Sequence, residues 1–191
     1  KIKSENASKK LAEKFGECLW TKDTGMRNTT TQAIAPTTSS AFIMQVSQSI
    51  EPWNSNYFIK DLAKGKFVIK NRYLQKLLQE KGLDNDETWN SIKMNHGSVL
   101  HLDSLSNEEK FVFKTAKEIN EEEIVIQAAQ RQKYIDQGQS LNLFISSDKT
   151  AKEVNELILK AHDMGIKSLY YQHNSSAVAN LTKELTCISC E

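Results

Sequence analysis

Few residues in this chain carry chemistry that their types and spacing reveal. Cys187-Ile188-Ser189-Cys190 places two thiols with two residues between them, an arrangement that closes a small disulfide ring or gives two thiolates to zinc. Zinc needs further ligands, and Cys18, His96, His101, His162 and His173 show no paired metal spacing. Redox exchange, half a zinc site and idle cysteines all remain open for the pair. Exposed thiols on a flexible arm would suit a shuttle that reaches a buried disulfide and then a reductant in solution. Pro36-Thr37-Thr38-Ser39-Ser40 lies between a short apolar run and a helical one, so hydroxyls and helix-terminal amides could converge there on a phosphate. The stretch lacks the glycines and lysine of a P-loop, and ordinary helix capping is the simpler reading of its composition. Tyr170-Tyr171 closes an expected strand, in which adjacent side chains face opposite sides unless the strand has already ended; aromatic packing is its simplest use. Glu51, ahead of Pro52, and the four histidines have no catalytic partner at a diagnostic spacing.

The elements that must hold these residues are mostly helical. Only 2 Pro and 7 Gly punctuate 191 residues, while helix start and stop signals recur. Ala7, Leu11 and Phe15 mark one helical face stopped by Gly16. Ala33–Pro36 predicts a buried strand ended by its proline, and Thr37–Ser40 a hydroxyl-rich helix start. Tyr57–Lys60 and Phe67–Lys70 predict a hairpin. Helices follow at Arg72–Lys81, Asp86–Met94, Asn107–Glu118 and Glu121–Asp136. Ser106 with Glu109 reads as a capping box, and Asn120 with Glu123 repeats that signal. Gln127, Gln130, Arg131, Gln132 and Lys133 of the last helix read as the solvated side of a packed helix. A strand at Leu141–Ile145, a helix carrying Val154, Leu157, Ile158 and Ala161 on one face, and a strand at Ile166–Tyr171 are long enough for a crossover between parallel strands.

Composition narrows the function. With 39% hydrophobic and 26% charged residues the chain has ordinary globular make-up. Twenty-five Lys+Arg against 24 Asp+Glu leave a formal charge of +1, too little positive field to select nucleic acid or an anionic membrane surface. No apolar run approaches the roughly 20 residues that span a bilayer, and the polar first residues show no signal-peptide core. Three cysteines are too few for a secreted disulfide scaffold. The expectation is a soluble, cytoplasmic chain with no membrane and no nucleic-acid partner.

Five blocks, taken in order, resemble the large (alpha) subunit of class I ribonucleoside-diphosphate reductase: Met26–Thr30, Ala35–Ser40, Ser49–Pro52, Gln132–Gln137 and Gly165–Gln172, with Cys187 and Cys190 in agreement. The resemblance implies the helix-rich C-terminal portion of a ten-stranded α/β barrel over residues 1–180 and a flexible redox tail over 181–191. It implies that Pro36, Thr37, Thr38, Ser39 and Ser40 hold the diphosphate of a ribonucleotide. It further implies that Tyr170 and Tyr171 pass a radical from a small (beta) subunit, and that Cys187 and Cys190 re-reduce the active site before thioredoxin or glutaredoxin reduces them. No cofactor or metal is expected in this chain; a dimetal radical cofactor is expected in the small subunit. The family's radical cysteine sits in an Asn-x-Cys-x-Glu loop, which Cys18 in Gly16-Glu17-Cys18-Leu19-Trp20 does not match. The resemblance therefore also implies an N-terminal fragment of the large subunit as an obligate partner, this chain being part of a naturally split subunit or a truncated form of one. A non-catalytic interaction module built on the same fold is the alternative.

Overall fold

The computed structural model describes residues 1–62 and 65–174. In chain order these form α1 (Ile2–Phe15), α2 (Thr38–Met44), β1 (Tyr57–Leu62), β2 (Gly65–Lys70), α3 (Arg72–Glu80), α4 (Asp86–Met94), α5 (Asn107–Val112), α6 (Glu121–Gln132), β3 (Leu143–Ile145), α7 (Ala151–Asp163) and β4 (Gln172–Asn174). They divide into two compact units, Thr37–Asn120 in one and Lys1–Pro36 with the residues from Glu121 onward in the other. No Gly/Ser-rich linker marks either seam. The expected tail at 181–191, with Cys187 and Cys190, lies outside the described residues.

In the Thr37–Asn120 unit, β1 and β2 pair antiparallel, from Tyr57↔Lys70 to Leu62↔Gly65. α3 and α4 follow, each with an asparagine cap. Asn71 Oδ1 accepts the amides of Tyr73 and Leu74, and Asn85 Oδ1 accepts that of Thr88. Their apolar faces close a core of Leu74, Leu78, Trp89, Ile92, Val99 and Leu105. One buried asparagine ties this core to the hairpin: Asn56 Nδ2 donates to the carbonyls of Gly97 and Phe113 at 2.9 and 2.8 Å, and its Oδ1 accepts from Asn71 Nδ2 at 2.9 Å. That bond to Phe113 helps explain why the helix expected through Glu118 ends at Val112. Ala116 N–H donates to Trp53 O, and Thr115 starts a new capping box with Glu118, so a single 3-10 turn, Ala116–Glu118, replaces the helix's second half.

In the other unit, β3 and β4 lie parallel with Leu143↔Gln172, Phe144↔His173 and Ile145↔Asn174 opposite one another, and α7 makes the connection. The parallel crossover is the expected one, but β3 is shorter than expected and β4 begins only after the strand expected at Ile166–Tyr171. Residues 166–169 are held elsewhere: Ile166 N–H closes α7 on Ala161 O, and Ser168 Oγ donates to Gln139 O. The strand expected at Ala33–Pro36 reduces to one parallel bridge, Ile34↔Gln139, and is not buried. α6 stops at Gln132 rather than Asp136, because the Gln132 side chain caps the turn by donating to the carbonyls of Ile135 and Gln137. α1 buries Ser8 and Ala12, not the face of Leu11 and Phe15, which is exposed. Ser8 Oγ accepts the amides of Arg27 and Asn28 at 3.2 and 2.9 Å, so a hydroxyl fixes the docking of α1.

Candidate functional site

Thr37–Ser40 opens the second unit and is exposed, as is Pro36, the last residue of the first. The capping expected of this stretch does not form as composition suggests. Thr37 is the N-cap of α2 and its carbonyl accepts Ala41 N–H at 2.8 Å, but its side chain accepts none of the helix's amides; its Oγ1 takes Ser49 N–H at 2.9 Å instead. Thr38 Oγ1 donates to Gln48 Oε1 at 2.9 Å. Ser49, with φ 53, sits in left-handed backbone, which lets the Ser49–Pro52 block fold back against Thr37. The two blocks thus meet, and Glu51 is buried beside them. α2 adjoins a groove of about 520 Å³ with Thr38, Ser39, Phe42, Trp53 and Phe58 in its walls.

The Met26–Thr30, Gln132–Gln137 and Gly165–Gln172 blocks converge in the other unit. Asp136 Oδ2 accepts both the amide and the hydroxyl of Thr31 at 2.7 Å, and Gln137 Nε2 donates to Thr30 Oγ1 at 2.7 Å. Lys167 reaches Asp136 O, and its amide donates to Gln132 Oε1 at 3.4 Å. Gln132, expected on a solvated face, is buried and also accepts from Gln139 Nε2. A Cβ at Gly138 would come within 2.3 Å of Ser168 Oγ, so the hydroxyl that donates to Gln139 O would have to move.

This framework presents the tyrosines. β4 begins at Gln172, so Tyr170 and Tyr171 precede the strand and escape its alternation. Their ring centroids lie 4.2 Å apart with planes tilted by 55°. Both are exposed, at 50% and 58%. Tyr170 N–H donates to Leu141 O at 2.8 Å, Tyr171 N–H to Asn142 Oδ1 at 3.1 Å, and Tyr171 O accepts Leu143 N–H at 2.9 Å. The hydrogen bond to the Tyr171 side chain, aided by that neighbour's charge, raises the Tyr170 phenol above its ordinary pKa. Sequence reasoning missed Asn142, Phe144 and His173 as supports of this pair.

Cys18 is half-buried at the start of a 3-10 turn, with Sγ 3.2 Å from Thr21 Oγ1, and that hydrogen bond lowers its pKa. Among the described residues no three His, Cys, Asp or Glu side chains gather as for a metal ion, and no helix is long and apolar enough to cross a membrane.

A family model described as ribonucleotide reductase, barrel domain, matches residues 6–172. The chain belongs to that family. Its similarity to an Invertebrate iridescent virus 3 ribonucleoside-diphosphate reductase large subunit is 40% identity, covering 98% of this chain and 32% of that protein. A ribonucleoside-diphosphate reductase subunit alpha of Chlamydia pneumoniae is 39% identical over 81% of this chain and 15% of its own length. Among solved structures, the Actinobacillus ureae class Id ribonucleotide reductase alpha subunit matches with a TM-score of 0.83 and 49% identity, over 100% of this chain and 33% of that one. The chain thus spans a third or less of these relatives, and it is a helix-rich α/β part of the reductase barrel.

Proposed function

We propose that this chain is the C-terminal working part of a ribonucleoside-diphosphate reductase large subunit. The reaction replaces the ribose 2'-hydroxyl by hydrogen. The hydroxyl leaves as water, and the two electrons come from a dithiol that closes to a disulfide. Pro36, Thr37, Thr38, Ser39 and Ser40 hold the substrate's diphosphate, Tyr170 and Tyr171 relay the radical from the small subunit, and Cys187 and Cys190 return electrons from thioredoxin or glutaredoxin. The dimetal radical cofactor belongs to the small subunit. The radical cysteine comes from the N-terminal portion of the large subunit, without which this chain does not turn over. Reduced thiols at the tail suit the cytoplasm.

Family membership supports this reading, and the close approach of the two tyrosine rings carries it further. Two adjacent phenols released from strand alternation can exchange an electron and a proton over a short path, which packing alone does not require. The freed amides at the start of α2 favour an anion there. The test is turnover of the chain together with the rest of the large subunit, the small subunit and a dithiol. Tyr170→Phe and Tyr171→Phe should each abolish deoxyribonucleotide formation, because Phe keeps the ring and loses the oxidisable phenol. Full turnover in either variant would remove the relay from the proposal.

A further inference from the structure

We infer that His173 is a positioning residue that fixes the orientation of the Tyr171 ring; the inference rests on the relay reading of the tyrosine pair. His173 lies directly opposite Phe144 in the parallel register, and the two rings stack with centroids 5.1 Å apart and planes 11° from parallel. The other side of the contact is Tyr171, whose centroid is 6.1 Å away with the rings at 62°, edge to face. Tyr171 in turn meets Tyr170 at 4.2 Å. An unbroken line of rings therefore runs Phe144, His173, Tyr171, Tyr170. It is anchored in the core, where Phe144 is only 6% exposed, and ends on a pair that is largely open to solvent.

The anchor matters because the Tyr171 ring's other partner, the Tyr170 phenol hydrogen-bonded to it, is itself half-exposed. The hydrogen bonds to Leu141, Asn142 and Leu143 clamp the backbone of residues 170 and 171 and leave rotation about the side-chain bonds free. An exposed tyrosine samples several rotamers, and most of these would part the two phenols. A flat ring stacked on a buried phenylalanine offers Tyr171 a fixed wall in the edge-to-face geometry that aromatic pairs favour. An imidazole supplies that plane while tolerating the exposure of β4's position, where a larger apolar ring would be left wet. Transfer between the phenols requires their mutual geometry to be set in advance, and a misplacement of about 1 Å is enough to cost roughly 10²-fold in rate.

The experiment compares His173→Ala, His173→Gln and His173→Phe with Tyr171→Phe in the reductase assembled from this chain, the rest of the large subunit and the small subunit, with kcat and KM measured separately. His173→Ala and His173→Gln should lower kcat by between about 10-fold and 10²-fold with KM for the ribonucleoside diphosphate unchanged. His173→Phe should restore kcat, since it keeps the plane and discards the nitrogen atoms. The Gln variant leaves little cavity and guards against misfolding of the Ala variant. Wild-type kcat in both Ala and Gln variants, or a loss that Phe does not repair, overturns the inference while leaving the relay intact if Tyr171→Phe is inactive. An active Tyr171→Phe enzyme overturns the relay reading itself and the inference with it.

Discussion

Asp84 shows how much a single side chain can organise. Its carboxylate accepts the indole N–H of Trp89 at 2.6 Å and the amides of Gln79 and Gln75 at 2.9 and 3.3 Å. Trp89 is 2% exposed and sits at the centre of the core of its unit. Asp84→Ala strands that indole donor, and the expected loss is on the order of 1–3 kcal/mol, read as a lower midpoint in denaturant with an unchanged slope. The donors, the Trp89 bond first, depress the Asp84 pKa below its usual 3.8. A carboxyl whose folded pKa is depressed contributes stability above the unfolded value and loses it as pH falls toward the folded one. Wild-type stability should therefore fall as pH drops below about 4 more steeply than that of Asp84→Asn, which has no such proton to take up. Parallel pH profiles would reject this role for Asp84.

At the scale of elements, Gly138 and Ser168 decide how the segment before β3 meets the one that leads to the tyrosines. Gly138→Ala drives a methyl into Ser168 Oγ and should cost about 1–3 kcal/mol, the usual penalty for overpacking. Adding Ser168→Ala removes the colliding hydroxyl and should recover much of that loss, so a double-mutant cycle should give a favourable coupling. Strict additivity would show that the two residues do not meet. α7 offers a simpler test. Thr150 and Glu153 form a reciprocal capping box, and Thr150→Ala should cost about 1 kcal/mol in denaturant. Local signals of this kind explain which elements the sequence disclosed. α4, α7 and the hairpin are local structures whose caps, periodicity and turn lie within a few residues of one another, and they appear where expected. The failures are of another kind. α5 ends early because Asn56 and Trp53, some sixty residues away in sequence, take its backbone partners. The strand expected at Ile166–Tyr171 gives way because Gln139 and Gln132 bind its first residues. The same displacement hides the tyrosine pair from the sequence, since alternation in a strand ending at Tyr171 would hold the rings apart, whereas β4 begins at Gln172. The hydroxyl loop was visible as chemistry, but its diverted Thr37 cap depends on the fold of Ser49, which no local signal specified.

For the whole molecule, the apolar surface left open has a consequence for assembly. Leu11 and Phe15 lie on one face of α1, and Leu19 and Trp20 follow, with exposures of 59% at Phe15, 82% at Leu19 and 84% at Trp20. Soluble proteins seldom leave so many large side chains together in water without a use for them. The sequence pattern marks Leu11 and Phe15 as one face of a helix, whereas Ser8 and Ala12 are the residues that α1 buries. Among the described residues that face is exposed, and relatives about three times the length of this chain supply a candidate to cover it in the remainder of the large subunit. Burying a large apolar side chain contributes about 1.5–3 kcal/mol, and each 1.4 kcal/mol or so is a tenfold change in affinity. Phe15→Asp and Trp20→Asp should each weaken binding to that remainder by at least about 10-fold in titration calorimetry. The fold should be unchanged, because neither side chain packs in the core. Charged substitutions at Lys76 or Lys152, exposed on other helices, serve as controls and should leave affinity as it was. If Phe15→Asp and Trp20→Asp bind as the wild type does, the open face of α1 is not the assembly surface, and the groove beside α2 becomes the place to substitute next.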